Sequence, residues 1–240
     1  VVADSGTADD GSARVVVVTG ANRGIGLELV RQLATRGDVV VLGSRDPARG
    51  QAVAADLPRD RVLVRHLDVV DPATTIAVAD ELADRFGRLD GLINNAAILY
   101  DTWQSAIEAD LDVVHDALET NLFGAWRTTQ LLLDLLRASA RPRIVNVSSE
   151  GGSLASMGGG TPAYSVSKAA LNVLTRMLAA ELRRDRILVN SVCPGWVATD
   201  MGGPGGGPVR DGAARVLWAL DLPDDGPTGG FFRDGRPVPW

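Results

Sequence analysis

At 240 residues, with 45% hydrophobic and 22% charged side chains, the chain has the size and composition of one globular α/β domain. Its 24 basic residues are scattered among 30 acidic ones, giving a net charge of -6, which argues against a nucleic-acid or anionic-membrane surface. The lone Cys193 rules out an internal disulfide and a cysteine-built zinc cluster, and no apolar run approaches the roughly 18 residues of a membrane span.

In chain order, residues 1–13 lack a basic region followed by an apolar core, so a flexible acidic lead-in is expected and not a signal peptide. The chain is expected to be cytoplasmic. Arg14 to Thr19 carries four consecutive valines and predicts a strand buried on both faces, as in a parallel sheet. T-G-A-N-R-G-I-G (Thr19 to Gly26) and a helical pattern to Arg36 follow. Glycines at 20, 24 and 26 suit either a plain strand-to-helix turn or one that presses a helix N-terminus against phosphate.

Val39 to Leu42 predicts the second strand, ending in G-S-R-D-P-A-R-G. At this tip a dinucleotide fold meets the adenosine ribose, where an acid binds the free hydroxyls and an arginine takes a 2'-phosphate. Arg45 stands there, with Arg49 beyond it and Arg23 in the glycine turn. Singly each reads as a surface arginine; converging on one pocket, they point to a phosphorylated dinucleotide. Asp46 is assigned to capping the next helix.

Val62 to Leu67 is the third strand, and Asp68 after it is either a loop acid or within reach of an adenine amino group. Pro72 to Phe86 predicts a helix and Leu89 to Ile93 a fourth strand running into N-N-A-A. This cadence gives a doubly wound sheet with right-handed crossovers, its ligand lying outside the carboxyl ends where the winding reverses. A loop around Tyr100 to Thr102 and a helical stretch follow; His115 there has no second ligand placed to help it and reads as a surface residue. Asn121 to Leu136 predicts a long helix, with Asn121 either its cap or an inward polar group.

Ile144 to Val147 is a buried strand, followed by a glycine-rich crossing loop and a helix from Ala163 to Arg184. Tyr164 and Lys168 stand four apart and share one face of it. Such a pair is either a helix-surface contact or a phenol whose pKa, ordinarily about 10, is lowered by a neighbouring cation. A serine at the strand end would hold a substrate oxygen against that phenol. Ile187 to Val192 predicts a sixth strand, with Pro194, Gly195 and Thr199 at the same sheet edge as the glycine turn. Gly202 to Gly207 reads as too poor in side chains to pack, and a mobile substrate flap is expected near 201–209. A last helix, Val209 to Leu222, and a short strand, Gly229 to Phe232, complete a seven-stranded, mostly parallel Rossmann-type domain over 14–240.

Four motifs in this order, T-G-x-x-x-G-I-G at 19–26, N-N-A at 94–96, Y-x-x-x-K at 164–168 and P-G at 194–195, resemble the short-chain dehydrogenase/reductase family. A-N-R-G-I-G, S-R-D-x-x-R-G and C-P-G-W-V-x-T-D-M are similar to its NADPH-dependent carbonyl reductases. The resemblance implies reduction of an aldehyde or ketone, with Tyr164 as the acid and Lys168 holding the nicotinamide ribose and lowering the tyrosine pKa. It also implies that Ser149 orients the carbonyl and Asn121 anchors a water relay. NADPH would be held by Gly20, Asn22, Arg23, Gly24, Ile25, Gly26, Arg45, Asp68, Asn95, Tyr164, Lys168, Pro194, Gly195, Val197 and Thr199. Two rivals to this reading are the oxidative reaction on an alcohol and a non-catalytic dinucleotide-binding protein. Two departures stand out: Ala97 replaces the usual glycine of N-N-A-G, and the insertion that precedes the tyrosine in animal carbonyl reductases is missing, leaving dimer or tetramer formation open. Trp126, Trp196 and the glycine flap suggest a small apolar carbonyl substrate.

Overall fold

A computed structural model of the chain describes residues 13–98 and 100–240; the acidic lead-in therefore lies almost wholly outside the described residues. Among the described residues eight strands form one sheet in the order β3-β2-β1-β4-β5-β6-β7-β8. They are β1 (Val15–Val18), β2 (Val39–Ser44), β3 (Val62–His66), β4 (Gly91–Asn94), β5 (Arg143–Val147), β6 (Leu188–Val192), β7 (Phe231–Arg233) and β8 (Arg236–Pro237). All pairs from β3 through β7 are parallel, and β8 turns back antiparallel on β7. The doubly wound α/β class is as the sequence implies, with one strand more than the seven read from it. The extra strand has only two residues and carries no apolar alternation.

The valine run of β1 is explained by its two covered faces. Val16 and Val18 pack under helices α1 (Gly24–Thr35) and α8 (Val209–Leu220), while Val15 and Val17 face the opposite layer. That layer includes α3 (Pro72–Phe86), α6 (Leu133–Arg137) and the end of α7 (Pro162–Glu181). Each such valine removes a whole side chain from water, worth about 1.5–3 kcal/mol. Local signals set the helix starts: Asp46 caps α2 (Pro47–Ala54), Asp71 caps α3 and Asp110 caps α4 (Leu111–Leu118), each accepting first-turn N–H bonds.

The helix expected over 121–136 is broken into pieces. A π-helical turn, Glu119–Gly124, joins α4 to α5 (Ala125–Leu131), and α6 follows. Side-chain periodicity alone does not reveal one widened turn. No helix among the described residues is long and apolar enough to cross a membrane. Strand order reverses between β1 and β4, and the cleft at their carboxyl ends is the place this topology offers to a ligand.

Candidate active site

The cleft is floored by the turn from β1 into α1. Gly20 sits at φ 61, and a Cβ there would stand 2.8 Å from the Cα of Ala96, so only glycine suits that corner. Gly26 is needed for packing, because its added Cβ would meet Asn95 Nδ2 at 2.6 Å and the Gly20 carbonyl at 2.6 Å. Asn95 donates from that amide to the carbonyls of Thr19 (2.9 Å) and Gly20 (3.1 Å), stapling the turn to the end of β4.

Helix α1 begins unlike α2, α3 and α4. Its N-cap position holds Arg23, whose side chain makes no cap bond, and its first turn contains no acid. The leading N–H groups and the positive end of the helix are therefore left for an anion in the cleft. Arg23, Arg45 and Arg49 all line the same cleft. Arg23 pairs with Asp200 at 3.0 Å and Arg49 with Asp46 at 3.3 Å, while Arg45 makes no ion pair among the described residues. This donor set fits a dinucleotide with an additional phosphate at the β2 tip. Asp68 also lines the cleft; its Oδ1 accepts from the Val70 N–H at 3.1 Å.

At the other end of the cleft, Tyr164 and Lys168 come up from α7. Lys168 is 3% exposed, its Nζ donates to the Val147 carbonyl at 2.8 Å, and the ammonium lies 5.7 Å from the centre of the Tyr164 ring. Burial drives its pKa down to about 8, so it remains mostly charged at neutral pH. Burial also pushes the Tyr164 phenol up to about 12, against a hydrogen bond with Ser149 that pulls it down. The depressed phenol pKa expected from the lysine is thus not a property of the protein alone, where desolvation wins.

Of the two adjacent serines, Ser149 is the one whose hydroxyl pulls the phenol pKa down, and its Oγ accepts from the Gly151 N–H at 3.1 Å. The Ser148 hydroxyl is buried without a hydrogen-bond partner among the described residues. Asn121 is inward-facing and caps nothing. It sits in the π-helical turn at 1% exposure, donates to the Ile98 carbonyl (3.1 Å) and Ser167 Oγ (2.9 Å), and accepts from the Ile98 N–H (2.8 Å).

Gly20, Asn22, Arg23, Gly24, Ile25, Gly26, Arg45, Asp68, Asn95, Tyr164, Lys168, Pro194 and Thr199 all line this cleft; Asn121, Ser149, Gly195 and Val197 stand outside its lining. Gly195 turns toward Arg215 and Arg233, and Val197 is buried under the glycine segment. That segment is not the unpacked strip its composition suggests. The Gly207 N–H donates to Trp196 O (2.8 Å), the Ala198 N–H to Gly207 O (2.9 Å) and Trp196 Nε1 to Gly202 O (2.7 Å). Added Cβ atoms at Gly202 and Gly206 would overlap the Val197 backbone, so the glycines permit backbone-on-backbone packing. Trp126 is likewise not at the cleft: it packs on the small cluster of Ala125, Leu171 and Leu174. Ala97 lines the cleft outside the left-handed region, where a methyl carries no backbone strain.

Sequence reasoning passed over Asp101, which is fully buried and accepts from the N–H groups of Ala163 and Tyr164. Nothing in a lone loop aspartate 62 residues away signals this contact. Among the described residues no group of three or more His, Cys, Asp or Glu is placed to hold a metal ion.

Comparison with known proteins agrees with this architecture. The family described as short chain dehydrogenase matches residues 14–205. Carbonyl reductase [NADPH] 1 of Sus scrofa is 34% identical over 282 aligned positions, covering 95% of each chain. Salutaridine reductase of Papaver bracteatum is 32% identical, covering 91% of this chain and 94% of its own. The crystal structure of NADPH-bound carbonyl reductase from chicken fatty liver superposes with a TM-score of 0.86 at 30% identity, covering 95% of this chain and 99% of that one.

Proposed function

The chain belongs to the short-chain dehydrogenase family, and from that premise we propose that it reduces an aldehyde or ketone to the alcohol with NADPH. The observation that carries the reading is the convergence, in one cleft, of the Tyr164 phenol and the Lys168 ammonium with an anion-receptive α1 N-terminus and Arg45, which has no acidic partner among the described residues. Bound NADPH supplies the hydride.

The protein's own part is to bind, orient and protonate. Tyr164, a phenol whose ordinary pKa of about 10 already keeps it protonated at physiological pH, donates its proton to the carbonyl oxygen as negative charge develops there. Ser149, whose hydroxyl lowers the phenol pKa, supplies a second donor to the same oxygen, where catalytic interactions must strengthen. Lys168, charged and desolvated beside the ring, stabilises the phenolate left after transfer and offers a donor to the nicotinamide ribose. Asn121 ties the Ile98 segment to Ser167 on α7 and so keeps the lysine side of the site in register for proton return.

The test is a panel of small apolar aldehydes and ketones assayed by NADPH consumption and by recovery of the alcohol. Turnover of one or more, lost in Tyr164→Phe, is the expected result. Absence of turnover across the panel in a protein that binds NADPH would count against the reading.

A further inference from the structure

Helix α7 carries both Tyr164 and Lys168, and its start is built in an unusual way. The N-cap position is Thr161, held at φ 46 and ψ 48, with no side-chain cap bond to the helix. Its hydroxyl is engaged sideways with Ser165 Oγ at 3.0 Å. Pro162 fills the first helical position and has no N–H to cap. The first two donors needing an acceptor are therefore Ala163 and Tyr164.

Both are taken by one carboxylate from a distant loop. Asp101 Oδ2 accepts from the Ala163 N–H at 2.9 Å and Oδ1 from the Tyr164 N–H at 3.0 Å. Gln104 Nε2 donates to Oδ2 at 3.2 Å. Asp101 is 0% exposed and makes no ion pair among the described residues. A buried anion without a counter-ion is costly, and here two amides at the positive end of a 20-residue helix offset that cost. Before it in the chain, Ile98 is held by Asn121, and the ring of Tyr100 meets the ring of Tyr164 edge-on, centres 5.2 Å apart.

We propose that Asp101 is a positioning residue for the reaction: by fixing the backbone of Tyr164 and the Tyr100 wall against it, its carboxylate holds the phenol where Ser149 and Lys168 can act with it. This rests on the reading of Tyr164 as the proton donor. A helix whose own cap residue is diverted depends on this outside carboxylate for its first turn, and Tyr164 lies in that first turn. The phenol, at the far end of a side chain, magnifies any backbone rotation.

Asp101→Asn keeps the shape but places an amide N–H against one of the two helix N–H groups. Turnover is expected to fall at least about tenfold, within the hundred-fold range that a misplacement of an ångström costs. The NADPH dissociation constant, read by nicotinamide fluorescence, should stay within about twofold, because the phosphate end of the cleft lies on other elements. If Asp101→Asn does not fold, Asp101→Glu, which keeps the charge and moves it by one methylene, decides on the same two readings. Turnover equal to the parent, or turnover and cofactor binding falling together in step with the folded fraction, overturns the proposal. Tyr164→Phe assayed alongside separates the two levels: if it turns over normally, the proton-donor reading itself has failed, whereas an inactive Tyr164→Phe beside a fully active Asp101 variant sinks only the positioning role.

Discussion

Gly26 and Asn95 compete for one space: a Cβ on Gly26 would stand 2.6 Å from Asn95 Nδ2, the same nitrogen that holds the carbonyls of Thr19 and Gly20. The third glycine of the turn thus serves the protein's own staple. Gly26→Ala must displace either that amide or the Gly20 carbonyl, also 2.6 Å away. Thermal or urea denaturation should show a loss of about 1–3 kcal/mol, the usual scale for overpacking. NADPH affinity should fall with it, because the displaced turn is the floor of the cleft; an alanine protein as stable and as tight-binding as the parent would show that the turn adjusts freely.

Among the described residues Arg45 is the arginine of the cleft without an acidic partner, whereas Arg23 is engaged by Asp200 and Arg49 by Asp46. Arg45→Asp should therefore weaken NADPH by at least about 2 kcal/mol, the scale of a charge-assisted bond to phosphate, while leaving NADH nearly unaffected. Titrating both cofactors against parent and variant gives the ratio directly. Equal losses for the two would remove the 2'-phosphate from this corner.

The chain has two tyrosines, Tyr100 and Tyr164, so Tyr100→Phe leaves the Tyr164 phenol as the one tyrosine to titrate. Its phenolate absorbance in the cofactor-free protein should rise with a midpoint above the ordinary value of 10, because burial, the largest cause, opposes the charge. A midpoint at or below 10 would contradict the balance drawn between desolvation and the Ser149 hydrogen bond. In the parent background, Tyr164→Phe should cost roughly 100-fold or more in turnover, the range for a missing general acid, with NADPH binding retained.

Burial lowers the Lys168 pKa from 10.5 to about 8, which makes stability depend on pH. Below pH 8 both folded and unfolded chains carry the proton, and its desolvation weighs fully against folding. Between about 8 and 10.5 the unfolded chain still binds it while the folded chain has released it, so this group makes stability rise with pH across that window and level off above it. The rise is on the order of 3 kcal/mol at most. Urea denaturation of parent and Lys168→Met across the window should differ by this slope; parallel curves would mean that the ammonium is better solvated than its surroundings indicate.

Most of the sheet was legible because burial leaves plain marks. Four valines in a row need two apolar faces, and Asp-Pro before a helical pattern marks the cap at Asp46. The cleft was legible for a related reason: glycines and arginines at strand ends fall together in any doubly wound sheet. What stayed hidden depends on backbone geometry or on long-range partners. Gly202–Gly207 reads as loose because composition cannot distinguish glycine that moves from glycine that packs. Trp126 looks like a substrate contact until its packing against Leu171 and Leu174 is seen. Asp101 carries no local mark, since its partners are amide groups 62 and 63 residues away.

The widened turn at Glu119–Gly124 sets two helical phases end to end. An α-helix advances about 100° per residue, so a turn that takes in extra chain rotates everything downstream relative to everything before it. The inward faces of α4 and α5 therefore do not fall on one continuous stripe, and each is seated by its own neighbours. Shortening the turn by one residue would return it to ordinary winding and withdraw the inward set of Asn121, although every side chain type were kept. At this point of the chain the message is carried by length, and comparison of residue identities alone would pass over its loss.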